Sequence, residues 1–190
     1  MLSLPSQFIL WDTEYTTWEG AQEHTWSGPN EYKEIVQIGA IRATSSGFME
    51  EGSFCGYVRP VRNPVLSDFF ITLTGISQGI VDSEGETLSE TLEKFAIFAG
   101  DFPLYSYGGD EEVVKENCKF LEIAMPVSFK SFRNLRPPMC PLLRERGIDE
   151  AKYSSGTLIE AFGKKVKRPA HDAVNDTRNL HDALIELQRA

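Results

Sequence analysis

Phe8–Ile9–Leu10–Trp11–Asp12–Thr13–Glu14–Tyr15 is the stretch on which the rest of the chain turns. Four large apolar residues in a row, with no helical spacing, predict a strand buried on both faces. Residues i and i+2 of a strand point the same way. Asp12 and Glu14 therefore share one face at the end of a core strand, with Cα atoms about 6.5 Å apart at about 3.3 Å per residue. Two anions so close to a core repel each other and lose hydration. A divalent cation removes both costs. The alternative is that the strand ends at Trp11 and both acids are solvated.

Working outward, Thr16 to Lys33 is polar, with Gly and Pro, and reads as a loop. Its Trp18 and Trp26 either pack on the core or line a cleft. Glu34 to Arg42 is apolar and β-branched, a second strand. Ser45–Ser46–Gly47 is a turn, and Phe48 to Val58 a third strand, giving an antiparallel meander. Ser67 is a predicted N-cap for a short helix that ends at Leu73–Thr74–Gly75–Ile76, with Gly75 as its left-handed cap. A second short turn runs to Asp82. Thr87–Leu88–Ser89–Glu90 is a capping box opening an amphipathic helix that Gly100 stops. Phe102 to Tyr107 is a fourth strand, and a helix starts at Asp110. Val127 to Phe132 is a fifth strand. Pro137–Pro138 opens a helix ending near Gly147. Thr157 and Glu160 repeat the capping pattern for a short helix to Phe162. Asp172 to Arg189 is the final helix. With no repeat or linker, residues 1–190 read as a single α/β domain.

Composition narrows the function. The 190 residues carry 28 acidic and 19 basic side chains, a net charge of −9. That disfavours coating nucleic acid by bulk electrostatics, but not local capture through cations. No apolar run approaches the roughly 20 residues of a membrane span. The first residues lack the pattern of a signal peptide. Three cysteines without a C-x-x-C argue against a disulfide framework or zinc site and suit a cytoplasmic location.

Two further acids stand out. The final helix has an apolar stripe of Ala173, Leu180, Ala183, Leu184 and Leu187, and Asp176 occupies a stripe position. A helix rarely turns a carboxylate inward unless something positive meets it. His171 precedes Asp176 by five residues. Both could also be a loop residue and a rotated surface acid. Asp110, after Tyr105–Ser106–Tyr107–Gly108–Gly109, is a second site acid or simply a favourable charge at a helix start. His171–Asp172 and His181–Asp182 raise the possibility of an all-helical HD-type phosphohydrolase. The strands at Phe8 and Ile35 contradict that, and His181–Asp182 reads as surface helix.

Taken together, Asp12-x-Glu14, Asp110 after a strand, and His171-x-x-x-x-Asp176 resemble the DEDDh 3′→5′ exonucleases. The resemblance runs to the branch of the histone-mRNA 3′ exonuclease and the bacterial KinA-pathway inhibitor-like proteins. Tyr57–Val58–Arg59–Pro60, Asn63–Pro64, Leu66–Ser67–Asp68–Phe69, Leu73–Thr74–Gly75–Ile76 and Asp176–Thr177–Arg178–Asn179–Leu180 support it. It implies a ribonuclease-H-like fold, a five-stranded mixed sheet flanked by helices. It also implies hydrolysis of single-stranded RNA or DNA 3′ ends to nucleoside 5′-monophosphates, RNA favoured. Two divalent cations, Mg²⁺ or Mn²⁺, about 3.5–4 Å apart, would be held by Asp12, Glu14, Asp110 and Asp176. His171 would be the general base. The backbone near Thr13 would meet the terminal 3′-OH, and Leu73, Thr74, Gly75 and Ile76, with Phe70 nearby, would flank the terminal nucleoside. Lys164, Lys165, Lys167 and Arg168 either meet backbone phosphates or form a solvated loop. Two departures stand out: Ser-Tyr-Gly-Gly replaces the branch's Ser-Trp-Gly, leaving Glu111 as a rival to Asp110, and the Thr16–Lys33 loop is long. The rival class is a regulatory or nucleic-acid-binding module that kept the fold with little or no catalysis.

Overall fold

The computed structural model describes residues 2–126, 129 and 132–189. Five strands form one mixed sheet in the order β3-β2-β1-β4-β5. They are β1 (Gln7–Tyr15), β2 (Ile35–Thr44), β3 (Glu50–Tyr57), β4 (Leu104–Ser106) and β5 (Phe132–Asn134). β1 pairs antiparallel with β2 and parallel with β4, while β2–β3 is antiparallel and β4–β5 parallel. The central position of β1 explains its unbroken apolar run, since both faces are covered.

Strand parity sorts the two layers. Phe8 and Leu10 join Ile41, Tyr105, Met139, Leu143, Leu180 and Leu184 in one core. That core is closed by α5 (Arg136–Arg144) and α6 (Ala173–Gln188). Ile9 and Trp11 point the other way, to Ile38, Leu92, Phe95 and Val113. That layer holds α3 (Leu88–Ala99) and α4 (Asp110–Phe120). A smaller cluster of Val36, Leu66, Phe70, Ile76 and Val81 seats α1 (Asp68–Thr74) and α2 (Gln78–Glu84). Asp12 and Glu14 continue the parity of Phe8 and Leu10, so they face the α6 layer.

The expected helix signals at Ser67, Gly75 and Thr87 are present. Ser67 accepts from the Phe70 amide, Gly75 closes α1 at φ 74°, and Thr87 with Glu90 completes a capping box. Other expectations need correction. β4 is shorter than Phe102–Tyr107. Val127, Ser128, Lys130 and Ser131 of the expected fifth strand lie outside the described residues, and β5 begins at Phe132. Leu158–Phe162 is a 3-10 turn, because the Thr157 hydroxyl bonds backwards, accepting from the Ser154 amide at 3.0 Å. His181 is not on the surface. It is 6 % exposed and packs 5.9 Å from the Phe48 ring. Asp182 pairs with Lys167 and Arg168, both at 3.2 Å, which uses two of the four basic residues ahead of His171.

One glycine sets how closely α6 approaches the sheet. Gly39 lies opposite Asp12 in the β1–β2 register. A Cβ there would sit 2.3 Å from the Ala173 carbonyl carbon and the Val174 nitrogen. Those are backbone atoms and cannot rotate away. Gly39→Ala is expected to destabilise the fold by about 1–3 kcal/mol, the usual cost of overpacking. Gly52→Ala, whose Cβ would meet only the Phe98 ring at 3.7 Å, serves as the near-neutral control. Urea midpoints of the two variants measure the difference.

Candidate active site

Three segments converge at the end of β1. Asp12 and Glu14 are 8 % and 9 % exposed, and Asp110 at the first turn of α4 is 8 % exposed. Thr13, on the opposite parity, donates to Asp110 Oδ1 twice, from its amide at 3.1 Å and its hydroxyl at 2.8 Å. β4 ends at Ser106, beside β1, so the chain must turn into α4 next to Thr13. Glu111 points elsewhere and pairs with Lys115 at 2.5 Å. Asp110, and not Glu111, therefore lies with the other acids in the cleft.

α6 supplies the rest. Its N-cap is Asp172, which accepts from the Asn175 amide at 2.9 Å. Gln37, opposite Glu14 in the register, clamps this helix start to β2. Its amide group donates to Asp172 Oδ2 at 2.8 Å, and its carbonyl accepts from the Ala173 amide at 2.8 Å. Asp176, one turn on, is 3 % exposed. It accepts from the His171 amide at 3.1 Å, a bond that holds His171 in the left-handed region at φ 64°. Potential ligand atoms of Glu14, His171 and Asp176 all lie within 4.8 Å of one another. Ser155 donates to Asp12 Oδ1 at 3.0 Å. Gly156 lies flat against Asp176, where a Cβ would come within 2.2 Å of its Oδ1.

The electrostatics follow from this crowding. Burial and the charges of Asp110, Asp176 and Glu14 hold the Asp12 carboxyl well above the usual carboxylate range. Burial and the charges of Asp176, Asp172 and Asp110 do the same to Glu14. Burial also raises Asp110, against the opposing hydrogen bonds from Thr13. Asp176 is pushed up to about 7, chiefly by burial. Burial lowers His171, favouring its neutral form. No ion pair among the described residues involves any of the four acids. An all-oxygen set of buried, mutually repelling carboxylates is the donor chemistry that fits hard divalent cations.

The acids open into a cleft of about 830 Å³, walled by Trp18, Trp26, Phe69, Leu73, Tyr107 and Arg136, with His171 at its floor. Here several expected positions change. Phe70 is fully buried, and Phe69, one residue earlier, faces the cleft. Ile76 is 3 % exposed and belongs to the core. Thr74 bonds within its own turn, donating to the Phe70 carbonyl and accepting from the Ile76 amide. Gly75 is the helix cap, so only Leu73 of the 73–76 run lines the cleft. The Thr13 amide is committed to Asp110, which makes it a positioning group. Gln37, Gly39, Ser155 and Gly156 escaped the sequence reading. A glycine and a glutamine inside an otherwise apolar strand were the available signal for the first pair.

Comparison with known proteins agrees with this geometry. The exonuclease family model, RNase T, matches residues 9–184. ERI1 exoribonuclease 2 of Mus musculus is 36 % identical over 201 residues, 93 % of this chain. This chain spans little more than a quarter of that protein, 28 %, and 27 % of its Homo sapiens counterpart. The nuclease domain of 3′hExo, a DEDDh family member solved bound to rAMP, superposes with a TM-score of 0.79 at 22 % identity, covering 96 % of this chain and 91 % of that one. E. coli exonuclease I, solved with a dA16 oligonucleotide, superposes at 0.66 with 20 % identity, covering 96 % and 40 %. By its match from residue 9 to residue 184 the chain belongs to the exonuclease (RNase T) family, with the DEDDh exonuclease form of the ribonuclease-H-like fold.

Proposed function

We propose that this chain is a metal-dependent 3′→5′ exonuclease that shortens single-stranded nucleic acid, RNA in preference to DNA, releasing nucleoside 5′-monophosphates. One observation carries the reading: four buried carboxylates and a neutral-leaning histidine meet at the floor of one open cleft. The names of the similar proteins, exoribonucleases among them, favour RNA. The three cysteines are unpaired in the structure, as suits a reducing cytoplasm. No helix among the described residues is long and apolar enough to cross a membrane. Residues 1–190 act in this reading as one catalytic unit.

Asp12, Glu14, Asp110 and Asp176 would hold two divalent cations, Mg²⁺ or Mn²⁺. When bound, such ions supply positive charge to the phosphoryl oxygens and the leaving oxygen. His171 takes a proton from the attacking water through a ring nitrogen. The water oxygen attacks the phosphorus of the terminal nucleotide, and the bond from that phosphorus to the preceding 3′ oxygen breaks. The preceding nucleotide keeps that oxygen, which takes up a proton from solvent to become the new 3′-OH. Thr13 fixes Asp110, Ser155 fixes Asp12, and the His171 amide fixes Asp176, so the carboxylates stay in place through the reaction. The hydrophobic wall at Phe69 and Leu73 admits an unpaired terminal nucleoside.

Digestion of 5′-labelled oligonucleotides with Mg²⁺ or Mn²⁺ tests the reading. A ladder shortening from the free 3′-OH end, abolished by EDTA and by Asp12→Asn, is expected. Cutting of a circular single strand would mean internal cleavage, and binding without shortening would mean a non-catalytic module. His171→Ala is expected to lower turnover by roughly 10²–10⁴-fold, the range for a positioned base. Native turnover should rise with pH as the imidazole loses its proton, because only the neutral ring accepts one.

Stability should show the same site. With Asp176 at about 7 in the fold against 3.8 as its ordinary value, the folded state binds more protons than the unfolded one between these pH values. Stability without metal therefore falls as pH rises through that window. Metal competes with those protons, so its stabilisation should grow over the same range. Asp12→Asn removes one of the repelling charges. It is expected to raise the metal-free Tm at pH 8 and to blunt the Mn²⁺-induced rise, both read by calorimetry.

A further inference from the structure

The segment between β1 and β2 is a built element. Its base is closed by the Thr16 amide on the Glu34 carbonyl at 2.8 Å and the Thr16 hydroxyl on the Tyr32 carbonyl at 2.5 Å. Asn117 of α4 ties down its exit, donating to the Lys33 carbonyl at 2.7 Å and accepting from the Ile35 amide at 3.1 Å. Inside it, Thr25 and Trp26 are both left-handed, at φ 56° and 52°. A β-branched residue at positive φ is a real outlier, and such strain concentrates at functional sites. The Trp26 amide is held on the Ala21 carbonyl at 2.7 Å, and its indole nitrogen donates to the Thr17 hydroxyl at 3.2 Å.

These contacts hold the indole in place without burying it. Of the three tryptophans, Trp11 is core at 1 % exposed, while Trp18 and Trp26 stay partly open and line the cleft. Trp26 stands edge-on to Tyr15, with centroids 5.6 Å apart. The Lys33 ammonium lies 5.3 Å from the Trp26 ring and 5.9 Å from Tyr15. The Ser67 hydroxyl donates to the Thr17 carbonyl at 2.5 Å, so α1, which carries Phe69, is bound to the same loop. The cleft wall is thus continuous and aromatic. Its charge is unhelpful to phosphates: Glu23 and Glu112 join the four site acids, against Lys33 and Arg136. A strand must be gripped here mainly through its bases, and stacking on aromatic faces does that without regard to sequence.

We propose that the loop between β1 and β2 is a nucleobase platform, on which Trp18 and Trp26, flanked by Lys33, stack a base of the single strand whose 3′ end lies at the carboxylates. The proposal rests on the exonuclease reading for the strand's polarity but not for the stacking. Trp18 and Trp26 position substrate and take no part in the chemistry.

Tryptophan fluorescence reads the platform directly, because Trp11 is shielded. A short single-stranded oligonucleotide in Ca²⁺ is expected to quench the native protein, and an abasic strand of equal charge is expected to leave it unquenched. Trp26→Ala should raise KM and Kd for the base-bearing strand by about 5- to 100-fold, as for one lost base stack. Its Kd for the abasic strand of equal charge should change far less. Trp26→Phe should keep most of the native affinity. Equal quenching by the abasic strand would overturn the platform, and so would native KM in a folded Trp18→Ala, Trp26→Ala double variant. Quenching by the base-bearing strand in a protein that hydrolyses nothing would leave the platform standing and remove the exonuclease reading.

Discussion

Four carboxylates with no ion-pair partner among the described residues are the constraint around which this structure is arranged. Each is buried, and burial raises the proton affinity of each, helped at Asp12 by the charges of Asp110, Asp176 and Glu14. A flexible chain would separate them. Here they cannot separate, because Asp12 and Glu14 ride on the central strand, with partners on both sides. Asp110 is tied to Thr13 by two hydrogen bonds, and Asp176 is carried by a helix whose first turn Gln37 grips. The packing energy of two cores is thus set against local repulsion. Removing one partner of a buried charge is costly, and here the protein side offers none. Ionised together, these acids need positive charge from outside the chain, and the proposed divalent cations would supply it.

Topology decides which residues can meet. β1 and β4 are parallel, so their carboxyl ends lie at one edge of the sheet, where α4 begins. In open α/β sheets that edge is where ligands bind. The antiparallel β2 adds its own contribution by register: Gln37 beside Glu14 and Gly39 beside Asp12. A side chain at Gly39 would lift the start of α6 from the sheet and take His171 and Asp176 with it. Gly156 plays the matching part from the other side of Asp176. The site is therefore narrow for steric reasons before any charge is considered.

Much of this was legible in the chain. The run Phe8–Trp11 and the parity of Asp12 and Glu14 depend only on strand geometry, and the caps at Ser67 and Thr87 only on residues within one turn. Asp176 was visible as a carboxylate in an apolar stripe. What stayed hidden depends on contacts distant in sequence. Phe69 and Phe70 are adjacent in a seven-residue helix, and only the packing of Phe70 against Val36 and Leu66 tells which ring is core. Thr157 and Glu160 have the letters of a capping box, yet the preceding segment is held where Ser155 reaches Asp12, and the Thr157 hydroxyl bonds back to Ser154. His181 follows the helix stripe closely enough to be buried, which a titratable side chain beside Asp182 concealed. Gly39 acts through the absence of atoms, which composition and periodicity do not register.

The long loop after β1 completes a division of labour set by charge. A net charge of −9 and an acid-rich cleft give a phosphate backbone little reason to approach. In the proposed reading the carboxylates would meet phosphate through cations, which would hold only the reacting end. The rest of a strand must be held by groups indifferent to its charge. Aromatic faces serve, provided they are kept out of the core, and an indole left partly in water is stable there only if its backbone is fixed. The left-handed residues Thr25 and Trp26, the Thr17 hydrogen bond and the neighbouring Lys33 do that fixing. On this view the loop belongs to the same electrostatic problem as the acids, supplying by stacking the hold that an acidic surface cannot supply by attraction.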